Sequence, residues 1–137
     1  MDFIDANPYS RIKQDRRLGV SYIISTLILA KIKDNPNIKI LLVGQRRMTL
    51  NLLETILGLS NNELGNLFGT KESSIEVVSS SDLLVGRSAE IIILCDIRNS
   101  YEAHDSIDAL KPNGNIIIVD STIPIGFPFA TLFLEKL

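Results

Sequence analysis

Apolar residues along this chain arrive in short concentrated runs, and the spacing within each run separates helices from strands. From Val20 to Lys33, Ile23, Leu27 and Ala30, with Ile24, Ile28 and Ile32 beside them, repeat at helical spacing around more than one face. That pattern predicts a buried helix, ended by Asp34-Asn35-Pro36-Asn37. Ile38 to Val43 is an unbroken branched-aliphatic run, as in a strand covered on both faces. Ile75 to Ser79 and Glu90 to Asp96 read as two further strands, with Gly86-Arg87-Ser88 turning between them. Asn115 to Asp120 reads as the last buried strand, after a turn at Lys111-Pro112-Asn113-Gly114. Helices are expected from about Thr49 to Leu59 and from Tyr101 to Leu110, and a short one from Asn62 to Phe68. Tyr9 to Lys13 fits a short polar strand.

Strands alternating with helices imply right-handed crossovers and a mostly parallel sheet. The expected fold is therefore α/β, three layers in α/β/α order. A chain of 137 residues suits one domain over 1–137. A net charge of -2 gives no general attraction to nucleic acid or anionic lipid, so any such contact has to be local. The single cysteine, Cys95, rules out an internal disulfide and lies in an apolar run, which suits a reducing compartment. The apolar stretch Val20 to Ala30 covers about 11 residues, against about 20 for a membrane span. With no basic-then-apolar leader at Met1-Asp2-Phe3-Ile4-Asp5, the expectation is a cytoplasmic protein with no membrane contact.

In parallel sheets ligands bind beyond the carboxyl ends of strands. Four segments there carry candidate chemistry: the loop around Gly19, Gly44 to Thr49, Cys95 to Arg98, and Asp120 to Gly126. Lys13-Gln14-Asp15-Arg16-Arg17-Leu18-Gly19-Val20-Ser21 leads directly into a helix N-terminus, whose unpaired amides and dipole attract phosphate. The strict phosphate-loop spacing fails, because Gln14 replaces its first glycine and Val20 its lysine. A basic turn capping a helix is the alternative. Arg46, Arg47 and Arg87 suit either a DNA-phosphate patch or solvated loop ends. His104, beside Glu102 and Asp105, reads as a surface residue.

Taken in order, these four segments resemble the ATPase domain of viral and phage terminase large subunits, the motors that package DNA. Arg16-Arg17-Leu18-Gly19-Val20-Ser21 is similar to a deviant phosphate loop in that family whose lysine lies upstream, here Lys13. Ile40 to Thr49 resembles the following strand and polar segment. Leu84 to Ala89, then Glu90 to Asp96, resembles the loop and apolar strand that end in the paired acids. Asn115 to Phe127 is similar to the strand and hydroxyl pair that couple nucleotide state to DNA movement, and Phe127 to Leu137 to the aromatic helix after it.

The resemblance implies that the α/β fold is of P-loop NTPase-like type, with ATP and Mg2+ as cofactors and Lys13, Arg16, Arg17, Gly19 and Ser21 around the phosphates. Ser21 and Asp96 would hold the metal, and Ser121 and Thr122 would couple. It also implies double-stranded DNA, packaging or assembly proteins and further copies of the chain as partners, with no nuclease domain present. The catalytic glutamate position falls on Ile97, which cannot orient water, so hydrolysis would need Glu102 or another chain. Shifting the register by one puts Cys95 in place of the aspartate and Asp96 in place of the glutamate; a helix cap is the structural alternative for Asp96.

Two other readings stand beside this one. Leu110-Lys111-Pro112-Asn113-Gly114 before a strand resembles a methyltransferase turn, although the glycine-rich first turn and ribose-binding acid of that fold are missing. A catalytically degenerate binding or regulatory module on the terminase-like fold would explain the missing lysine and glutamate.

Overall fold

The computed structural model describes residues 6–14, 20–35, 37–44, 51–52, 54–55, 74–78, 84, 86–95, 97, 99–119, 125–126 and 128–134. Among these, six strands form one sheet: β1 (Tyr9–Gln14), β2 (Lys39–Gly44), β3 (Ser74–Val78), β4 (Ala89–Cys95), β5 (Leu110–Val119) and β6 (Ala130–Leu134). Every pairing is parallel, and the spatial order is β3-β2-β4-β5-β1-β6. Helix α1 (Val20–Asp34) follows β1, and helix α2 (Ser100–Asp105) with a 3-10 turn (Ser106–Ala109) follows β4. The α/β class expected from the sequence is the class observed.

Side chains of a strand alternate between faces, and here the two faces build two cores. Ile12, Ile40, Leu42, Ile91, Ile93, Cys95 and Ile117 pack with Ile24, Leu27, Ile28, Leu29 and Ile32 of α1. On the opposite face Leu41, Val43, Ile92, Leu94, Ile116 and Ile118 pack with Ala103 of α2 and Ala109. The fold thus has three layers, which is why β2 and β4 read as continuous apolar runs instead of alternating ones. Burying an isoleucine or leucine of this kind contributes roughly 1.5–3 kcal/mol. Ala30, expected on the buried face of α1, is exposed, while Ser25 and Leu29 are buried.

Strand β1 is the unexpected member, for its composition is polar yet it runs between β5 and β6. Its buried Ser10 donates its hydroxyl to the Asn7 carbonyl at 2.7 Å, and the Arg11 Nε donates to Thr131 Oγ1 of β6 at 3.2 Å. Polar groups satisfied in this way tolerate burial.

Three sequence expectations change in the structure. The helix expected over Tyr101 to Leu110 is α2 plus the 3-10 turn, and Leu110 already belongs to β5. The turn expected at Lys111 to Gly114 lies inside β5 as a bulge: Ala89 pairs with Leu110 but Ile91 with Asn115, so β4 advances two residues where β5 advances five. Turn-forming residues serve the bulge equally well. Asn113 takes φ 66, Pro112 is exposed, and a Cβ on Gly114 would overlap the Glu90 carbonyl. Finally, the segment resembling an aromatic helix, Phe127 to Leu137, contains the strand β6, whose backbone is recruited by the open side of β1. The short helix expected at Asn62 to Phe68 lies outside the described residues. Of the helix expected at Thr49 to Leu59, Asn51, Leu52, Glu54 and Thr55 are described, and they are helical.

At the amino edge of the sheet Glu90 ties three strands together. Its carboxylate accepts the Lys39 N–H of β2 at 2.6 Å and meets Lys111 Nζ of β5 at 3.2 Å. Burial raises the Glu90 pKa, but the Lys39 amide, its own amide and Lys111 outweigh burial and hold the carboxyl below its ordinary 4.5. A carboxyl lowered in the folded state adds stability that is present above pH 4.5 and lost as the pH falls through the lowered value. Glu90→Gln is therefore expected to flatten the acid limb of a urea-unfolding stability profile. An unchanged acid limb would show that the carboxylate does not clamp the strands.

Candidate functional site at the carboxyl edge of the sheet

Register fixes which residues meet at the carboxyl edge. Ile12 pairs with Val119, Val119 with Cys95, and Cys95 with Gly44, so these four form one row across β1, β5, β4 and β2. With strands about 4.8 Å apart, the row is roughly 15 Å long. The four segments singled out from the sequence leave these four neighbouring strands just beyond the row.

Lys13 and Gln14 continue β1 past the row, where their backbones pair with Phe133 and Leu134 of β6. Helix α1 begins at Val20, so Ser21 stands in its first turn, and five isoleucine and leucine residues of that helix pack in the core against the sheet. The helix end is thereby fixed close to the edge. Arg16, Arg17, Gly19, Arg46, Arg47, Asp96, Ser121 and Thr122 lie outside the described residues, as do the side chains of Lys13 and Ser21.

Gly44 ends β2 with φ 144, and a Cβ there would overlap the carbonyl oxygen of Cys95. Only glycine lets the two backbones approach this closely at the point where the chain leaves β2 toward β3 on one side and leaves β4 toward β5 on the other. A lone glycine closing an apolar strand was the available signal, and sequence reasoning gave it no role. Cys95 itself is buried in the α1-side core.

Beyond Cys95 the chain enters α2. Asn99 caps it, its Oδ1 accepting the Glu102 N–H at 3.2 Å, while the Glu102 carbonyl accepts the Ser106 hydroxyl at 2.8 Å. Asn99-Ser100-Tyr101-Glu102 has the spacing of a capping box, a signal the sequence reading passed over. Glu102 is half-buried in the first turn, at the helix end that faces the carboxyl edge. Ile97 packs against the α2-side core. The position where the resemblance expects a water-orienting glutamate thus carries an apolar anchor.

Arg87 is not brought to this edge. It precedes β4, its N–H donates to the Leu84 carbonyl at 2.9 Å, and its guanidinium pairs with Glu76 on β3. Arg46 and Arg47, which follow β2 in sequence, lie outside the described residues. His104, expected as a surface residue, is half-buried and meets Phe129 edge-on at 5.7 Å; Phe129 in turn packs against Tyr9.

Among the described residues no group of three or more His, Cys, Asp or Glu side chains is placed to hold a metal. Among them, too, no helix is long and apolar enough to cross a membrane. Compared with models of known protein families and with curated protein sequences, the chain matches none.

Two substitutions test the local architecture of the edge. Gly44→Ala is expected to destabilise the fold by about 2 kcal/mol or more in urea unfolding, through overlap with Cys95 and a disfavoured φ. Asn99→Ala removes a helix cap and is expected to cost about 1 kcal/mol. A loss within error of zero would show that Asn99 does not fix the position of Glu102.

Proposed function

We propose that this chain is a terminase-like ATPase domain that binds ATP with magnesium at the carboxyl edge of its sheet and hydrolyses it slowly. One observation carries the reading: the four segments that resemble terminase motifs follow four neighbouring strands at a single edge. Parallel pairing brings every post-strand segment to that edge, and what supports the resemblance is that the four motif-bearing strands are adjacent, in the order β2, β4, β5 and β1. The strand that leads into the phosphate-loop candidate, β1, and the strand that leads into the acidic candidate, β4, are separated by β5 alone, so the ends of these two strands are roughly 10 Å apart. That span suits a triphosphate.

In this reading Lys13, Arg16 and Arg17 neutralise the phosphates, and the amides around Gly19 and the start of α1 donate to them. Magnesium ordinarily keeps several waters and takes one or two protein ligands besides phosphate oxygens, so a site of Ser21 and Asp96 fits its needs without a larger acidic cluster. The metal supplies charge neutralisation between phosphate groups. Glu102 is the first described carboxylate after the acidic strand end and would orient water, with Ile97 unable to do so. Ser121 and Thr122 would sense the terminal phosphate and couple it to double-stranded DNA held near Arg46 and Arg47. Other packaging or assembly proteins and further copies of the chain are the partners this reading implies. Loss of the ordinary catalytic base costs on the order of 100- to 10,000-fold in rate, which is the reason for expecting slow turnover.

A second reading is favoured by a different observation. Gly44 abuts Cys95 where the connections from β2 and β4 diverge, and such a crevice is where dinucleotide and related cofactors bind in open parallel sheets. It supports a methyltransferase-like domain. Against it, two strands, β4 and β5, stand between β1 and β2, whereas the dinucleotide order sets the first strand beside the second.

Calorimetric titration with ATP and magnesium separates the readings. Binding is expected, weakened about tenfold in Lys13→Ala or Arg16→Ala and also in Asp96→Ala. Unchanged affinity in both Lys13→Ala and Arg16→Ala would sink the phosphate-loop assignment, and binding of S-adenosylmethionine in place of ATP would establish the second reading. ATP binding with no turnover would identify a degenerate regulatory module.

A further inference from the structure

The opposite edge of the sheet holds a half-open cleft of about 610 Å³ around the starts of β1 and β5. Its volume falls in the range of small-molecule sites. Lys31 reaches it from the last turns of α1, Ile107 from the 3-10 turn on the other layer, and Tyr9, Lys111, Asn113 and Asn115 from the two strands between. The cleft therefore spans all three layers. It lies roughly 15 to 20 Å from the carboxyl edge, the length of β1.

We propose that this cleft is a second binding site, for a small organic phosphate with a flat apolar body. The charge argues for an anion. Two lysines line the cleft and, among the described residues, no carboxylate does. Lys111 shares its charge with Glu90, whose Oε1 it meets at 3.2 Å, and keeps a side chain 43% exposed. Lysines act on phosphate as point charges and tolerate varied approach, whereas the amides of Asn113 and Asn115 add directional donors. Lys31 also offsets the partial negative charge of the α1 carboxyl end, which would otherwise repel an anion.

The body of the ligand is argued from the walls. Tyr9 is held against Phe129, with ring centroids 5.6 Å apart, and Pro8, Ile107, Leu110 and Pro112 supply further apolar surface. A rigid aromatic held by a neighbour offers contact area at little entropic cost. The β5 bulge builds the polar end: Asn113 sits at φ 66, and Gly114 is confined against the Glu90 backbone, so the asparagine is presented by a constrained loop within a strand. Bulges commonly re-aim side chains next to binding sites.

Phenyl phosphate is the probe, titrated into the isotope-labelled full chain with amide chemical shifts as readout. Saturable shifts are expected at Tyr9, Ile107, Asn113 and Asn115, with a dissociation constant on the order of 1 mM and no competition from ATP. Asn113→Gly suits the positive φ and removes the amide, and Lys31→Gln removes one charge. Each is expected to weaken binding about fivefold with an unchanged unfolding midpoint. The site is overturned by the absence of saturable shifts, by shifts confined to residues at the carboxyl edge, by displacement with ATP, or by equal affinity in both variants. Phenol binding as tightly as phenyl phosphate would overturn the phosphate assignment.

Discussion

Parallel pairing of all six strands is the constraint from which the rest follows. Neighbours that run the same way cannot be joined by a tight turn, so each connection must carry the chain back across the sheet. Returning segments cover both faces, and right-handed crossovers put leftward and rightward moves on opposite faces. Hence α1, which moves the chain from β1 across β5 and β4 to β2, packs on one face, while α2, moving the chain from β4 to β5, packs on the other. The same constraint sends every strand's outgoing segment to one edge. Convergence of the four candidate segments is a product of topology before it is a product of any side chain.

Sequence periodicity made the buried strands legible because double coverage writes itself as continuous aliphatic residues in β2, β4 and the second half of β5. It did not reveal β1 as an interior strand. Ser10 and Arg11 look like surface residues until their partners at Asn7 and Thr131 are known, and the second lies 120 residues beyond Arg11. The Lys111 to Gly114 turn was misplaced for a related reason: Pro, Asn and Gly report unusual dihedrals, and a bulge needs those as much as a chain reversal does. Strand β6 was read as part of a helix because pairing with an unrecognised interior strand leaves no local mark. At the site, the segments were found by their position after strands, whereas the cap at Asn99 had a legible capping-box spacing that was passed over, and the contact that Gly44 makes with Cys95 depends on a pairing across the sheet that local sequence does not display.

In the terminase-like reading we propose, the two apolar replacements would act on different steps. Val20 would stand where a phosphate loop carries its lysine, and basic residues upstream would offset that loss for binding alone. Ile97 stands where water would be oriented, and its packing into the α2-side core gives the side chain a structural task that a glutamate would perform badly. Restoring a carboxylate at that position would expose the core's rim to a charge. The two sides of the molecule also differ in how they are held. Glu90 clamps β2, β4 and β5 at the amino edge, while the carboxyl edge has backbone proximity at Gly44 and Cys95.

The placement of β1 sets the order in which the molecule becomes itself. Its two sheet partners, β5 and β6, lie far along the chain from it, and contacts between such distant segments form late because loop closure has to precede any gain from pairing. Until those strands pair with β1, Ile12 lacks much of its place in the sheet. The strand that leads into the phosphate-loop candidate is thus seated only at the end of folding. Ligand capture through that loop would report a finished fold, and a chain interrupted before Ala130 would leave β1 as an open edge.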